Sequence, residues 1–105
     1  MKNISNQNEF NSLINQSKPI LLDFYADWCG PCQTLLPTVD KLSKEYNGSV
    51  EIRKVNVDEN KELAAQFNVR SIPALFFIKD NEIVDRVNGL TAEGTLRMKL
   101  DALLN

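Results

Sequence analysis

Residues 20–32 read ILLDFYADWCGPC, and this stretch decides the fold. Its first part, residues 20–26, is apolar at six of seven positions. Such a run is typical of a strand that helices cover on both faces of a parallel sheet. We therefore expect this strand to lie in the centre of the sheet. Cys29 and Cys32 follow it directly and open a helix, at the carboxyl end of the sheet, where open α/β folds place their sites.

Helical and strand patterns alternate on both sides of this stretch. The predicted order is helix, strand, helix, strand, helix, strand, strand, helix, and the later strands cover residues 50–57, 74–78 and 83–87. Thr91 is the expected N-cap of the last helix. Strands linked by helices pair in parallel, and a tight turn at Asp80 and Asn81 adds an antiparallel edge. The sequence therefore predicts an α/β fold with a central mixed sheet and helices on both faces.

The composition is that of an ordinary globular domain. The 105 residues carry 12 Lys and Arg against 14 Asp and Glu, a net charge of −2, with the signs interspersed. This balance argues against nucleic acid or an anionic membrane as a partner. Residues 1–8 are polar and lack the apolar core of a signal peptide, and no later segment is long enough to span a bilayer. We expect a single domain over residues 1–105 and a cytoplasmic location.

The sequence Cys29-Gly30-Pro31-Cys32 is the one constellation with evident chemistry. Free amide donors and the positive end of the helix dipole favour a thiolate at the start of a helix, so Cys29 is the expected nucleophile. Cys32 lies one turn further in and should be less exposed, which suits it to resolve a mixed disulfide.

Three other interpretations of the cysteine pair compete with this one. A zinc site requires four ligands, and the chain offers two cysteines and no histidine, so we expect no metal. A purely structural disulfide would close too short a loop to stabilise the fold much. Two inert buried thiols are the third alternative, although Trp28, Gly30 and Pro31 are typical of a surface turn.

Asp23 is the only charged residue in the central strand. If the strand is covered on both faces, the carboxyl group loses its hydration and its pKa rises toward neutrality, so that it could exchange a proton with Cys32. The alternative is a hydrated position. Lys54 shares strand parity with Val50 and Ile52, so it either points inward and pairs with Asp23 or extends to water.

The sequence resembles the thioredoxin family over nearly its whole length. The resemblance rests on residues 28–32 (WCGPC), on residues 23–26 (DFYA), on Pro37, on Ile72-Pro73 and on Gly89. It implies a thioredoxin fold and a protein-disulfide reductant that works through a reversible Cys29–Cys32 disulfide and takes part in cell redox homeostasis.

The resemblance also implies roles for particular residues. Cys29 attacks a client disulfide, Cys32 resolves the mixed disulfide, and Asp23 transfers the proton of Cys32 with Lys54 nearby. Gly30 and Pro31 set the reduction potential. The remaining expectation is a substrate-docking surface beside the cysteines, with Pro73 in the cis form, and its members are Trp28, Ile72, Pro73 and Gly89.

The partners follow from the same resemblance. It implies re-reduction by thioredoxin reductase, an NADPH-dependent flavoprotein, and clients such as ribonucleotide reductase, peroxiredoxins and methionine sulfoxide reductases. A monomer without a cofactor of its own is expected. Two rival functions are an oxidant or isomerase on the same fold, and a binding module in which the cysteines are incidental.

Three positions depart from the commonest family pattern. Asn81 stands in the hairpin turn where many relatives have Gly, and Asn tolerates positive φ, so the turn should persist. Asn88 is polar where relatives often have an apolar residue, and Gln33 stands where Lys or Arg is frequent. The last two substitutions bear on partner preference and on the reduction potential.

Overall fold

A five-stranded mixed sheet forms the centre of the computed structural model, which describes residues 1–105. In chain order the strands are β1 (Lys2–Asn3), β2 (Ile20–Tyr25), β3 (Glu51–Asn56), β4 (Ala74–Lys79) and β5 (Glu82–Asn88). Their spatial order is β1-β3-β2-β4-β5, and all six residues of β2 are buried. The predicted central position of this strand is confirmed.

Four helices cover the two faces of the sheet, as the sequence predicts. They are α1 (Gln7–Ile14), α2 (Gly30–Glu45), α3 (Lys61–Gln66) and α4 (Glu93–Leu103). Helices α2 and α4 pack on one face, in a core that contains Leu21. Helices α1 and α3 pack on the other face, with Leu22 and Phe24. Because side chains alternate along a strand, Asp23 shares the α2 and α4 face with Leu21.

The direction of β4 differs from the prediction that helix-linked strands pair in parallel. Strand β4 pairs antiparallel with β2, and it does not pair with β3, the strand that precedes it. The reason is the length of the connecting helix. The six residues of α3 span only about 9 Å, whereas a strand of six residues is about 20 Å long, so the helix does not carry the chain back to the start of the sheet.

Two further details differ from the prediction. Strand β1 was not predicted, because its two residues are exposed and are held only by backbone pairing with β3. The N-cap of α4 is Ala92, with no side-chain cap, and the predicted cap Thr91 is wrong by one residue. The hydroxyl of Thr91 instead donates to the carbonyl oxygen of Gly89 at 3.2 Å. No helix combines the length and the apolar character that crossing a membrane requires.

The turn of the hairpin between β4 and β5 consists of the two predicted residues, Asp80 and Asn81. Asp80 has φ 52° and Asn81 has φ 67°, so both adopt the left-handed conformation of a two-residue hairpin turn. Asn tolerates this region, and the turn persists without Gly as expected.

We expect Asn81→Val to lower the free energy of unfolding by about 1–3 kcal/mol, because a β-branched residue is strained at positive φ. The free energy of unfolding of Asn81→Gly should stay within about 0.5 kcal/mol of the wild-type value. Glycine adopts positive φ without strain, and this advantage offsets the larger backbone entropy that glycine loses on folding. Urea unfolding measures both. Asn8→Val on α1 is the control, because Asn and Val have similar helix propensity. An equal loss in Asn81→Val and Asn8→Val would contradict the role assigned to the turn.

Candidate active site

The cysteine pair lies at the carboxyl end of β2 and at the first turn of α2. Cys29 is the N-cap of the helix, and a disulfide joins it to Cys32, with the two Cα atoms 5.2 Å apart. The backbone N–H of Cys32 donates to Sγ of Cys29 at 3.2 Å. Pro31 has no amide hydrogen and fits the first turn, where that donor would have no helical partner. The predicted placement of both cysteines is confirmed.

Both cysteines are buried in the disulfide form, and Cys32 is the less exposed of the two, at 1% against 5%. They pack with Tyr25 and Ala26 at the end of the central strand. Sγ of Cys29 lies 3.8 Å from the carbonyl oxygen of Ile72. Cys29 is therefore the more accessible sulfur of the pair, and the backbone of Ile72 lies beside it.

The expected docking residues surround this approach. The Ile72–Pro73 peptide bond is cis, and the backbone N–H of Gly89 donates to the carbonyl oxygen of Pro73 at 2.8 Å. Gly89 has φ 81°, a conformation that side-chain-bearing residues rarely adopt. Trp28 is 72% exposed. Its side chain and Ile72 line a shallow cavity of about 210 Å³, which is completed by Val57, Ala64, Val69, Arg70 and Ser71.

Asp23 is buried as the sequence predicts, with 1% of its surface exposed. Neither of its carboxyl oxygens has a hydrogen-bond partner. Burial raises the pKa of Asp23 from 3.8 to about 7, and the positive charge of Lys54 opposes part of that rise. The carboxyl group can therefore take up or release a proton close to neutral pH, on the same face of the sheet as α2.

Lys54 lies beside Asp23 on the neighbouring strand but forms no ion pair with it. The two residues are partners in the register of β2 and β3, and none of the salt bridges of the chain includes either of them. Nζ of Lys54 lies 5.4 Å from the centroid of the Tyr25 ring, within the range of a cation–π interaction. Of the two alternatives for Lys54, the direct ion pair is absent, and its positive charge lowers the pKa of Asp23 without contact.

Two polar contacts beside the docking residues are not predicted from the sequence. Nε1 of Trp28 donates to Oδ2 of Asp58 at 2.8 Å. Nδ2 of Asn88 donates to Oγ of Ser71 at 3.2 Å. The sequence does indicate that Asp58 lies near the cysteines. Strands β2 and β3 are parallel, so Asp58, which follows β3, lies at the same edge of the sheet as Cys29, which follows β2. The Asn88 contact joins distant segments and has no local signal.

Comparison with known proteins gives a consistent result. The family model described as thioredoxin matches residues 2–102. Thioredoxin 1 of Synechococcus elongatus is 44% identical over 89 residues, which are 85% of this chain and 83% of that protein. The thioredoxin of Haemophilus influenzae is 50% identical over 80 residues, 75% of each chain.

Solved structures agree. The X-ray structure of Fasciola hepatica thioredoxin superposes with a TM-score of 0.89 at 39% identity, over 97% of this chain and 98% of that one. A chain from a structure on the thiol resolving mechanism of yeast mitochondrial 1-Cys peroxiredoxin via glutathione/thioredoxin systems gives a TM-score of 0.88 at 30% identity. It covers 98% of this chain, which in turn covers 95% of it.

The burial of Asp23 predicts a specific dependence of stability on pH. Its folded pKa of about 7 lies above the unfolded value, so the stability associated with the uncharged form is complete below about pH 4 and is lost as the pH rises through 7. In the disulfide form, we compare the free energy of unfolding of Asp23→Asn with that of the wild type. The difference should shift in favour of Asp23→Asn by about 4 kcal/mol between pH 4 and pH 8. Denaturant unfolding at a series of pH values measures the difference.

Asp27→Asn is the control for that experiment, because it removes one negative charge from an exposed position close to the same strand. It should follow the wild-type curve. Comparison between two pH values removes the constant cost of burying an unpartnered amide at position 23. Parallel curves for the wild type and Asp23→Asn would contradict the elevated pKa.

Proposed function

The chain belongs to the thioredoxin family, and on this premise we propose that Cys29 is the thiol that attacks the disulfides of its client proteins. The chain is a thiol–disulfide oxidoreductase that reduces protein disulfides by dithiol–disulfide exchange. One observation supports the assignment of roles above all others. The sulfur of Cys29 is the N-cap of α2 and faces the docking residues, whereas Cys32 lies behind it in the helix.

The reaction begins with the dithiol form. The Cys29 thiolate attacks one sulfur of the client disulfide, so that the client bond breaks and a Cys29–client mixed disulfide forms. The Cys32 thiol then gives up its proton and attacks the sulfur of Cys29. This second step forms the Cys29–Cys32 disulfide and releases the second client thiolate. Two electrons pass to the client. Its two thiolates take up two protons, one given up by Cys32 and one from the solution, to which Cys29 lost its own proton when its thiolate formed.

The surroundings of Cys29 support its role as the nucleophile. The N–H of Cys32 points at its sulfur, and the first turn of α2 contributes the positive end of the helix dipole. Both stabilise a negative charge on Cys29 more than on Cys32, and a thiolate is the reactive form of a cysteine. Gly30 and Pro31 hold the two sulfurs at bonding distance, and we propose that they contribute to the reduction potential in this way.

We assign the proton transfer to Asp23. It shares a face of the sheet with α2, and its pKa of about 7 lets it accept the proton of Cys32 and release it again in each cycle. The positive charge of the nearby Lys54 opposes part of the effect of burial and so lowers the pKa of Asp23. Lys54 is thus a positioning charge that acts through Asp23.

The client binds, in this proposal, on the surface formed by Trp28, Ile72, Pro73 and Gly89. Trp28 offers a large exposed ring, and the backbone of Ile72 lies beside Cys29. Pro73 follows Ile72, and its carbonyl oxygen accepts from the backbone N–H of Gly89. An extended client segment can pair with such a backbone edge, so that main-chain hydrogen bonds supply affinity for many sequences.

The finer assignments of partner and location rest on the family. We propose re-reduction by an NADPH-dependent flavoprotein thioredoxin reductase, and clients that include peroxiredoxins, ribonucleotide reductase and methionine sulfoxide reductases. A dithiol donor needs a compartment that keeps thiols reduced, which supports a cytoplasmic location. We further propose that residues 1–105 act as a single monomeric domain in cell redox homeostasis.

The roles of the two cysteines are tested by substitution. Cys32→Ser should accumulate a mixed disulfide with a protein substrate, because its remaining Cys29 attacks and nothing resolves the adduct. Cys29→Ser should form no such adduct, and its turnover should fall to background. Mass spectrometry under non-reducing conditions detects the adduct. Trapping by Cys29→Ser and not by Cys32→Ser would reverse the assignment.

The direction of electron flow is tested by equilibrium with glutathione. The Cys29–Cys32 couple should be more reducing than the glutathione couple, so that the disulfide persists until a large excess of reduced glutathione is present. Alkylation of free thiols measures the fraction reduced at each ratio. A clearly oxidising couple would favour an oxidant or isomerase. Full cellular function of a Cys29→Ser, Cys32→Ser double variant would favour a binding module.

A further inference from the structure

The four arginines of the chain fall into two pairs. Arg53 pairs with Glu51, and Arg97 pairs with two glutamates, both away from the cysteines. Arg70 and Arg86 form no salt bridge with any carboxylate of the chain. Both of these unpaired arginines are exposed.

Arg86 is held in one orientation although it is exposed. Its Nε donates to Oδ1 of Asn88 at 3.0 Å, and its guanidinium lies 5.0 Å from the centroid of the Phe76 ring. Neither of its terminal nitrogens forms a hydrogen bond within the chain. The group therefore presents a fork of free donors, and such a fork matches the two oxygens of a carboxylate.

Asn88 connects this arginine to the docking surface. Its Nδ2 donates to Oγ of Ser71 at 3.2 Å, and Ser71 directly precedes Ile72. Asn88 itself directly precedes Gly89. The bridge thus joins the two segments that carry the docking residues. Asn88 is also one of the positions at which the sequence departs from the commonest family pattern, because relatives often have an apolar residue there.

The second unpaired arginine lies at the same segment. Arg70 precedes Ser71 and lines the cavity next to Trp28, and its Nε donates to Oδ1 of Asn68 at 3.3 Å. Acidic groups are joined to Trp28 instead, because Asp58 accepts from its indole N–H and the exposed Asp27 precedes it in the chain. The two unpaired arginines are therefore joined to the segment of Ser71, and the carboxylates are joined to Trp28.

We propose that Arg86, oriented by Asn88 and assisted by Arg70, selects clients that carry a carboxylate close to the reactive disulfide, on the side of the client segment that docks beside Ser71. This inference rests on the docking surface given under the proposed function. Because the guanidinium is already oriented, little side-chain entropy is lost when the carboxylate binds. The acidic residues beside Trp28 disfavour the opposite placement of the client charge.

Three short synthetic peptides test the proposal, each used as its symmetric disulfide dimer. One has two Asp residues before its single Cys, one has two Asp residues after it, and one has Asn at all these positions. The reduced protein is mixed with each dimer at low ionic strength, and the second-order rate constant is measured from the released thiol. Only one of the two acidic peptides should react faster than the Asn peptide, by about 5- to 10-fold, because the proposal favours one placement of the carboxylate.

Arg86→Gln should reduce that preference to less than about twofold, and added salt should weaken it in the wild type. Asn88→Val, which keeps the arginine but removes its anchor, should lower the preference by an intermediate factor. Arg97→Gln is the matched control, since it removes the same charge on α4 and should keep the preference. The Asn peptide should react within about twofold of the wild-type rate in Arg86→Gln and Arg97→Gln, which confirms that both variants are folded. For Asn88→Val, the preference is the ratio of its own rates with the acidic peptide and the Asn peptide, so any general change in docking cancels.

The outcomes separate the two proposals. Equal rates for all three peptides, or a preference that survives Arg86→Gln, would overturn the selection of acidic clients while leaving the reductant function intact. Failure of the wild type to reduce even the Asn peptide would overturn the proposed reaction of Cys29 with client disulfides, and with it this inference.

Discussion

Burial of β2 on both faces is the constraint on which the rest of the structure depends. Every side chain of this strand is enclosed, so strand alternation alone assigns each residue to one helical layer. Leu22 and Phe24 face α1 and α3, whereas Asp23 faces α2. The carboxyl group at that position is buried, with 1% of the residue exposed. The same strand ends one short turn before Cys29, so a single rigid element positions both the acid and the dithiol.

The elements that the sequence predicts are those whose signal is local. The apolar run of β2, the cysteine pair at the start of α2 and the two-residue turn at Asp80 and Asn81 each carry their information in neighbouring residues. Strand β1 has no such signal, because backbone pairing alone holds its two exposed residues. The direction of β4 depends on how far α3 carries the chain, and hydrophobic periodicity does not report that distance.

The sequence likewise predicts some features of the candidate site and not others. The burial of Asp23 is one of two environments that the sequence allows, and the apolar residues on both sides of it favour that environment. The parity of Lys54 is also predictable, but its relation to Asp23 is not, because the Tyr25 ring lies within cation–π distance of the ammonium group. The resulting balance is between desolvation, which raises the pKa of Asp23, and a nearby but unbonded positive charge, which lowers it. A direct ion pair would keep the acid ionised, so that it could not take up and hold the proton of Cys32 near neutral pH.

Rate and selectivity are carried by different parts of the molecule. Attack on a disulfide sulfur has the same geometry for every client, so the residues that surround Cys29 do not discriminate strongly between partners. Discrimination must come from side chains that touch the client beyond its two sulfurs. Asn88 and Arg86 belong to β5, whereas the cysteines follow β2, and no hydrogen bond joins Asn88 or Arg86 to the dithiol. Substitutions on β5 can therefore change which clients bind without changing the chemistry that Cys29, Cys32 and Asp23 perform.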